Sequence, residues 1–225
     1  QLEQGVAMLP RVQAAGLRRE LIRLYLANEL AAEAVGQLKL MAADDPDASK
    51  KPGFLAMRGI ANVMMHRPEE GRKDLEQRGI IDEPTIMLWR AYLEAQSENW
   101  AEAMAAFRRG QKLIGSYPED LQVRFRLAAA RAAGEIGAWA KADTYLKALP
   151  ERDIGAAAEA DAMVLRARML EGVGRAPEAL LAYRKVMEGG DRHAEAEATY
   201  HHTSLALRLG EMERKEAIDR YEAAA

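Results

Sequence analysis

Three histidines late in the chain, His193, His201 and His202, are the side chains best suited to ligate a metal or carry a proton. A zinc site needs three or four converging ligands, and on one helix His193 and His201 stand about 12 Å apart, too far for one ion unless the helix starts between them. The pattern reads instead as His201 and His202 on opposite sides of a surface helix. Asp44, Asp45 and Asp47 have the composition of a calcium loop but lack the glycine and closing glutamate of an EF-hand. They read as helix capping and turn. There is no Walker-type glycine loop, no G-x-S-x-G and no H-E-x-x-H. Cysteine is absent, which excludes disulfides, zinc thiolates and thiol nucleophiles. The residues point to no catalytic site, no metal and no cofactor, so the chain reads as a non-enzyme.

Apolar residues make up 49% of the 225 and charged residues 30%, with a net charge of −3 and both signs interspersed. That composition folds, and it offers no basic stripe for nucleic acid or a membrane surface. Abundant alanine and arginine, with few β-branched or aromatic residues, favour helix. No apolar run approaches the roughly 18–20 residues of a membrane-spanning helix. Direct membrane insertion is therefore not expected, and the chain reads as a soluble segment, cytoplasmic or periplasmic. It begins at Gln1 without a signal-peptide pattern, which reads as a fragment of something longer.

What must position these side chains is a repeat. A small residue, preceded by a charged one and followed four positions later by a bulky apolar one, occurs six times. The couplets are Ala34 with Leu38, Gly71 with Leu75, Ala103 with Phe107, Ala142 with Leu146, Ala179 with Tyr183, and Ala217 with Tyr221. Their small residues are spaced by 37, 32, 39, 37 and 38 residues. Flanking apolar residues follow the helical period, as in Trp100, Ala103, Met104 and Phe107. Turn signals separate the stripes at Gly137, Gly174 and Gly210, and between pairs at Pro46, Pro84, Pro118, Pro150 and Gly189-Gly190. No segment alternates with period two, so no strand is expected.

The pattern resembles the tetratricopeptide repeat, whose signature runs W-x2-L-G-x2-Y, then A-x3-F, then P. Twelve positions before the anchors, Gly59, Ala91, Ala130 and Ala167 fit the family's first small residue, whereas Ile22 and Leu205 do not. Trp100 and Trp139 supply the aromatic residue three before the anchor, and Pro46 the closing proline. The resemblance covers residues 17–221 with degenerate, slightly long repeats. It implies an all-α fold, a right-handed α-solenoid of about six antiparallel helix pairs over residues 17–225. Residues 1–16 are left as an N-terminal helix or linker. It also implies a segment of a longer bacterial protein of this kind.

In that family the first helix of each pair lines a concave groove that receives a peptide. Mapped onto this chain, the groove is Arg19, Arg23, Met57, Trp89, Tyr92, Gln96, Arg124, Arg131, Arg168, His201 and Arg208, with Ile60, Met64 and Ser204 beside them. Arginines among aromatic and methionine positions would suit a peptide carrying acidic and apolar side chains. The Lys-Asn-Lys-Arg carboxylate clamp of chaperone-binding members is not reproduced. The expected function is a protein–protein interaction scaffold for a protein or peptide partner, with no nucleic acid. The alternative is self-assembly into homo-oligomers through the last pair, where Ile218 and Tyr221 are left without a cover.

Overall fold

The structure, a computed structural model, describes residues 11–81 and 83–224. Among them the chain forms twelve α-helices, two short 3-10 turns and no strand. The helices are α1 (Arg11–Ala27), α2 (Ala31–Asp44), α3 (Pro52–Met64), α4 (Pro68–Leu75), α5 (Pro84–Gln96) and α6 (Trp100–Gly110), followed by α7 (Glu119–Glu135), α8 (Trp139–Lys147), α9 (Ala156–Gly172), α10 (Ala176–Met187), α11 (Arg192–Leu209) and α12 (Arg214–Ala224). Of the expected N-terminal helix or linker, residues 1–10 lie outside the described residues and 11–16 belong to α1. Among the described residues no helix is long and apolar enough to cross a membrane.

The chain divides into two compact units, Gln1–Gln122 and Val123–Ala225. Within the first, α1 packs on α2, α3 on α4 and α5 on α6, and the pairs join through α2 on α3 and α4 on α5. Within the second, α9 packs on α10 and α11 on α12, joined through α8 on α9 and α10 on α11. First helices of neighbouring pairs also touch, α1 with α3, α3 with α5, and α9 with α11.

Every pair turns in the same way. A residue with left-handed backbone follows the first helix: Glu29, His66, Glu98, Gly137, Gly174 or Gly210, with φ of 60°, 54°, 59°, 73°, 81° and 73°. The next residue's amide then donates to a carbonyl five positions back, as in Leu30 to Tyr25 at 2.8 Å, Asn99 to Glu94 at 2.9 Å and Ala138 to Ala133 at 2.7 Å. This is the Schellman closure, which satisfies carbonyls that a helix end otherwise leaves without donors. The second unit uses glycine there, whereas the first unit forces Glu29, His66 and Glu98 into a conformation that disfavours a Cβ. Glu98→Gly is therefore expected to stabilise the protein by about 0.5–1 kcal/mol, the relief of strain exceeding glycine's extra freedom in the unfolded chain. Urea unfolding measures this, and a midpoint at or below that of the wild type would contradict it.

The repeated couplets occupy the seams between helices. All six small residues are buried, and so are Leu38, Leu75, Phe107, Leu146 and Tyr183; Tyr221 is half-buried. The positions twelve before them, Ile22, Gly59, Ala91, Ala130, Ala167 and Leu205, are buried as well. Where both positions are glycine, α3 and α4 approach so closely that a Cβ on Gly59 would fall 2.6 Å from Leu75 Cδ2. One on Gly71 would fall 2.6 Å from Val63 Cγ2.

Candidate functional site

The eleven groove positions expected from sequence fall in both units. In the first, Arg19 and Arg23 are exposed on α1, and Tyr92 and Gln96 are half-buried on α5. Met57 and Trp89 are corrections: at 7% and 2% exposure they belong to the core and present nothing to a ligand. Met64 is buried with them. The reason is that α3 packs on α1, α2, α4 and α5, so its apolar residues are covered on more than one side. Trp89 is enclosed edge-on by Tyr92 and Tyr117, each with ring centroids 6.4 Å away. Gln96 donates to the Val63 carbonyl at 3.1 Å and lies 3.1 Å from His66 Nδ1.

The second unit brings Arg131, Arg168, His201 and Arg208 together, with Arg124 half-buried further up α7. On α11, Glu197, His201, Leu205 and Arg208 recur at helical spacing and so share a face. On α9 the same holds for Asp161, Arg168 and Glu171, and on α7 for Arg131 and Glu135. These faces lock into one ion-pair lattice. Arg131 grips Glu197 with both nitrogens, at 2.7 and 3.0 Å, and donates to Asp161 at 3.0 Å. Arg168 donates to Glu135 at 2.6 Å and stands 3.6 Å from Glu197. Arg208 pairs with Glu171, which also accepts from the Tyr183 hydroxyl at 2.7 Å. The His201 ring stacks on Tyr183 with centroids 5.8 Å apart and faces Glu197 at 4.0 Å.

Three of the arginines expected to hold a partner's carboxylate, Arg131, Arg168 and Arg208, are thus engaged by carboxylates of the chain itself. Glu135, Asp161, Glu171 and Glu197 are the residues that sequence reasoning passed over. Their signal was present: Glu135 follows Arg131 by one helical turn, Glu171 follows Arg168, and Glu197 precedes His201. Weighing arginines alone discarded it.

Burial works against the charge on Glu197, but the hydrogen bonds and charge of Arg131, aided by Arg168 and His201, outweigh it and hold the carboxyl below its ordinary value. Burial depresses His201, and Arg168 adds to that against the opposing pull of Glu197 and Glu171. The Tyr183 hydroxyl is pushed up by burial and by Glu171, so it stays a donor. His202, also buried, accepts from Arg184 Nε at 3.2 Å and is likewise depressed by burial. His201 and His202 do not lie on opposite sides, since consecutive residues are about 100° apart and both meet α10, His201 at Tyr183 and His202 at Arg184. Nor is α11 a surface helix, because α9, α10 and α12 all pack on it. Asp45 behaves as expected, its carboxylate accepting from the amides of Asp47 and Ala48 to form a turn. Among the described residues no group of three or more acidic or histidine side chains is placed to hold a metal ion.

A pH dependence follows. The folded state resists protonating His201 and His202, whereas the unfolded chain takes up those protons near pH 6.5. Stability is therefore full above that pH and falls as pH drops below it. Glu197 adds a second loss at lower pH, beginning as pH drops below the ordinary carboxylate value and continuing to its depressed folded one. The melting temperature is expected to fall between pH 7.5 and 5.5, and His202→Met is expected to flatten that fall. A flat profile in the wild type would contradict the assignment.

At the C-terminal ends of α7, α9 and α11 these elements leave an open cleft of about 670 Å³. It is lined by Glu135, Arg168, Glu171, His201 and Arg208, with Trp139, Leu205 and Leu209 as apolar wall. The indole of Trp139 lies where a side chain on α9 would otherwise be: a Cβ on Gly172 would fall 2.0 Å from the ring, and one on Gly134 3.2 Å from it. Glycine at those helix ends is what gives the ring its place. Paired charges around a partly apolar recess can orient a bound segment. No family model, no curated protein and no solved structure matches this chain.

Proposed function

We propose that the chain is a protein-interaction scaffold built of tetratricopeptide-like repeats, its pairs stacking as a right-handed solenoid, and that the cleft of the second unit receives a segment of a protein partner. The observation that carries this is the cleft itself, open to solvent, walled by Trp139, Leu205 and Leu209, and rimmed by ion pairs that fix its geometry. The repeated turn and buried couplets support the repeat reading. The reading includes no reaction and no cofactor, because the charged groups of the cleft act on each other. Affinity would come from a few apolar anchors on a preformed surface.

Panning a random peptide library on the immobilised protein tests this. Selected peptides are expected to compete for one site and to bind Leu209→Asp about tenfold more weakly, on the order of 1.4 kcal/mol. Leu209 is 47% exposed, so the variant should melt like the wild type. Failure to enrich any peptide, or undiminished binding to the variant, would remove the reading.

Self-assembly is a second reading, favoured by an apolar patch on the last pair. Tyr200 and Ile218 are 57% and 56% exposed, and the Tyr200 and Tyr221 rings lie 5.6 Å apart. Growth of scattering mass with concentration, abolished by Ile218→Lys, is the result this alternative requires.

A further inference from the structure

At the end of each first helix in the second unit, the residue just before the left-handed glycine is a large apolar side chain held in solvent. These are Ile136, Val173 and Leu209, exposed by 46%, 53% and 47%. The same turn in the first unit carries Asn28, Met65 and Ser97. The turn itself therefore does not demand an apolar residue at that position. Its own hydrophobic contact joins the residue after the left-handed one to the last helical turn, and so does not use these side chains. Single exposed apolar residues are ordinary, but a set at one repeat position signals an interaction surface.

Leu209 lines the cleft, and Ile136 and Val173 directly follow in the chain Glu135 and Gly172, which line it. The charges around them are already matched: Arg168 with Glu135, Arg208 with Glu171, and Arg131 with Glu197 and Asp161. An incoming carboxylate or ammonium group would have to break one of these pairs and leave its partner uncompensated. An uncharged apolar side chain breaks none. The electrostatics of the edge thus select a neutral occupant.

Spacing selects its form. Packed helices lie about 8–10 Å apart, and α9 packs directly on α11 while ion pairs tie α7 to α9. On an α-helix, residues seven apart share a face at about 10.5 Å. We propose that the edge made by Ile136, Val173 and Leu209 binds an amphipathic helix of the partner, with apolar residues at i, i+7 and i+14 and uncharged side chains beside them. This rests on the partner-binding reading above and names its occupant.

The test uses three fluorescein-labelled helical peptides with leucine seven apart on one face and glutamine, glutamate or lysine beside it. Anisotropy is read at about 0.3 M salt, which screens long-range attraction. The glutamine peptide is expected to bind at least about tenfold tighter than the other two. The triple variant Ile136→Ser, Val173→Ser, Leu209→Ser is expected to lose that binding about tenfold or more, with unchanged circular dichroism and melting temperature. Equal or tighter binding of a charged peptide overturns the proposal, as does undiminished binding of the glutamine peptide to the triple variant. So does a wild-type dimer that the triple variant converts to monomer, because a second copy would then cover the edge. If library-selected peptides bind in a Leu209-dependent way while the glutamine peptide does not, only this inference falls. If neither binds, the partner-binding reading falls with it.

Discussion

Glu197→Ala is expected to lower the stability of the protein by about 3 kcal/mol, the low end of the range for breaking a buried ion pair. Glu197 and Arg131 expose only 16% and 23% of their side chains, and Arg131 spends two nitrogens on Glu197. Removing the carboxylate strands a guanidinium in a site from which water is largely excluded, with Asp161 alone to balance it. The cost comes from that stranded charge more than from any large net gain in the pair. The double variant Arg131→Met, Glu197→Leu, which removes both charges and keeps the volume, is accordingly expected to recover most of the loss. Urea unfolding of the wild type, Arg131→Met, Glu197→Leu and the double variant measures the coupling. A single variant as stable as the wild type, or a double variant no better than the single, would contradict the structural role assigned to the lattice.

A second large effect is expected at Gly59. Its Cβ position lies 2.6 and 2.7 Å from Leu75 Cδ2 and Cγ and 3.1 Å from Asp74 Cβ. Leu75 is fully buried, and Asp74 is held by both Arg58 nitrogens at 2.7 Å, so neither neighbour can step aside cheaply. Gly59→Val is expected to cost about 3 kcal/mol through overpacking, the upper end of the usual range. Gly36, on α2, is the control: a Cβ there meets nothing within 4 Å. Gly36→Ala is expected to stabilise by up to about 1 kcal/mol, because alanine is the better helix former. If both substitutions move the melting temperature the same way, the close approach of α3 and α4 is not what the structure says it is.

How much of this was legible beforehand differs between the fold and the site. The couplets at Ala34, Gly71, Ala103, Ala142, Ala179 and Ala217 could be read directly, because a small residue with a bulky one a turn later is a local pattern that survives degeneracy. The turns at Gly137, Gly174 and Gly210 were readable for the same reason, glycine being the residue that tolerates positive φ. The matching turns at Glu29, His66 and Glu98 were not, since nothing about glutamate or histidine announces a left-handed backbone. There the packing of the pair imposes the conformation against local preference.

Sequence by itself determined that the described residues are all-helical and packed as adjacent helix pairs, since periodicity and composition act over a few neighbouring residues. It also determined which helices carry the arginines. Only the tertiary structure decided that Met57 and Trp89 are core, that Arg131 is spent on Glu197 and Asp161, and that the ends of α7, α9 and α11 meet around one cleft. Those outcomes depend on which side chain of a distant helix comes within hydrogen-bonding distance. Charge pairing falls off so steeply with distance and solvent that a sequence cannot rank its candidates until the helices have packed.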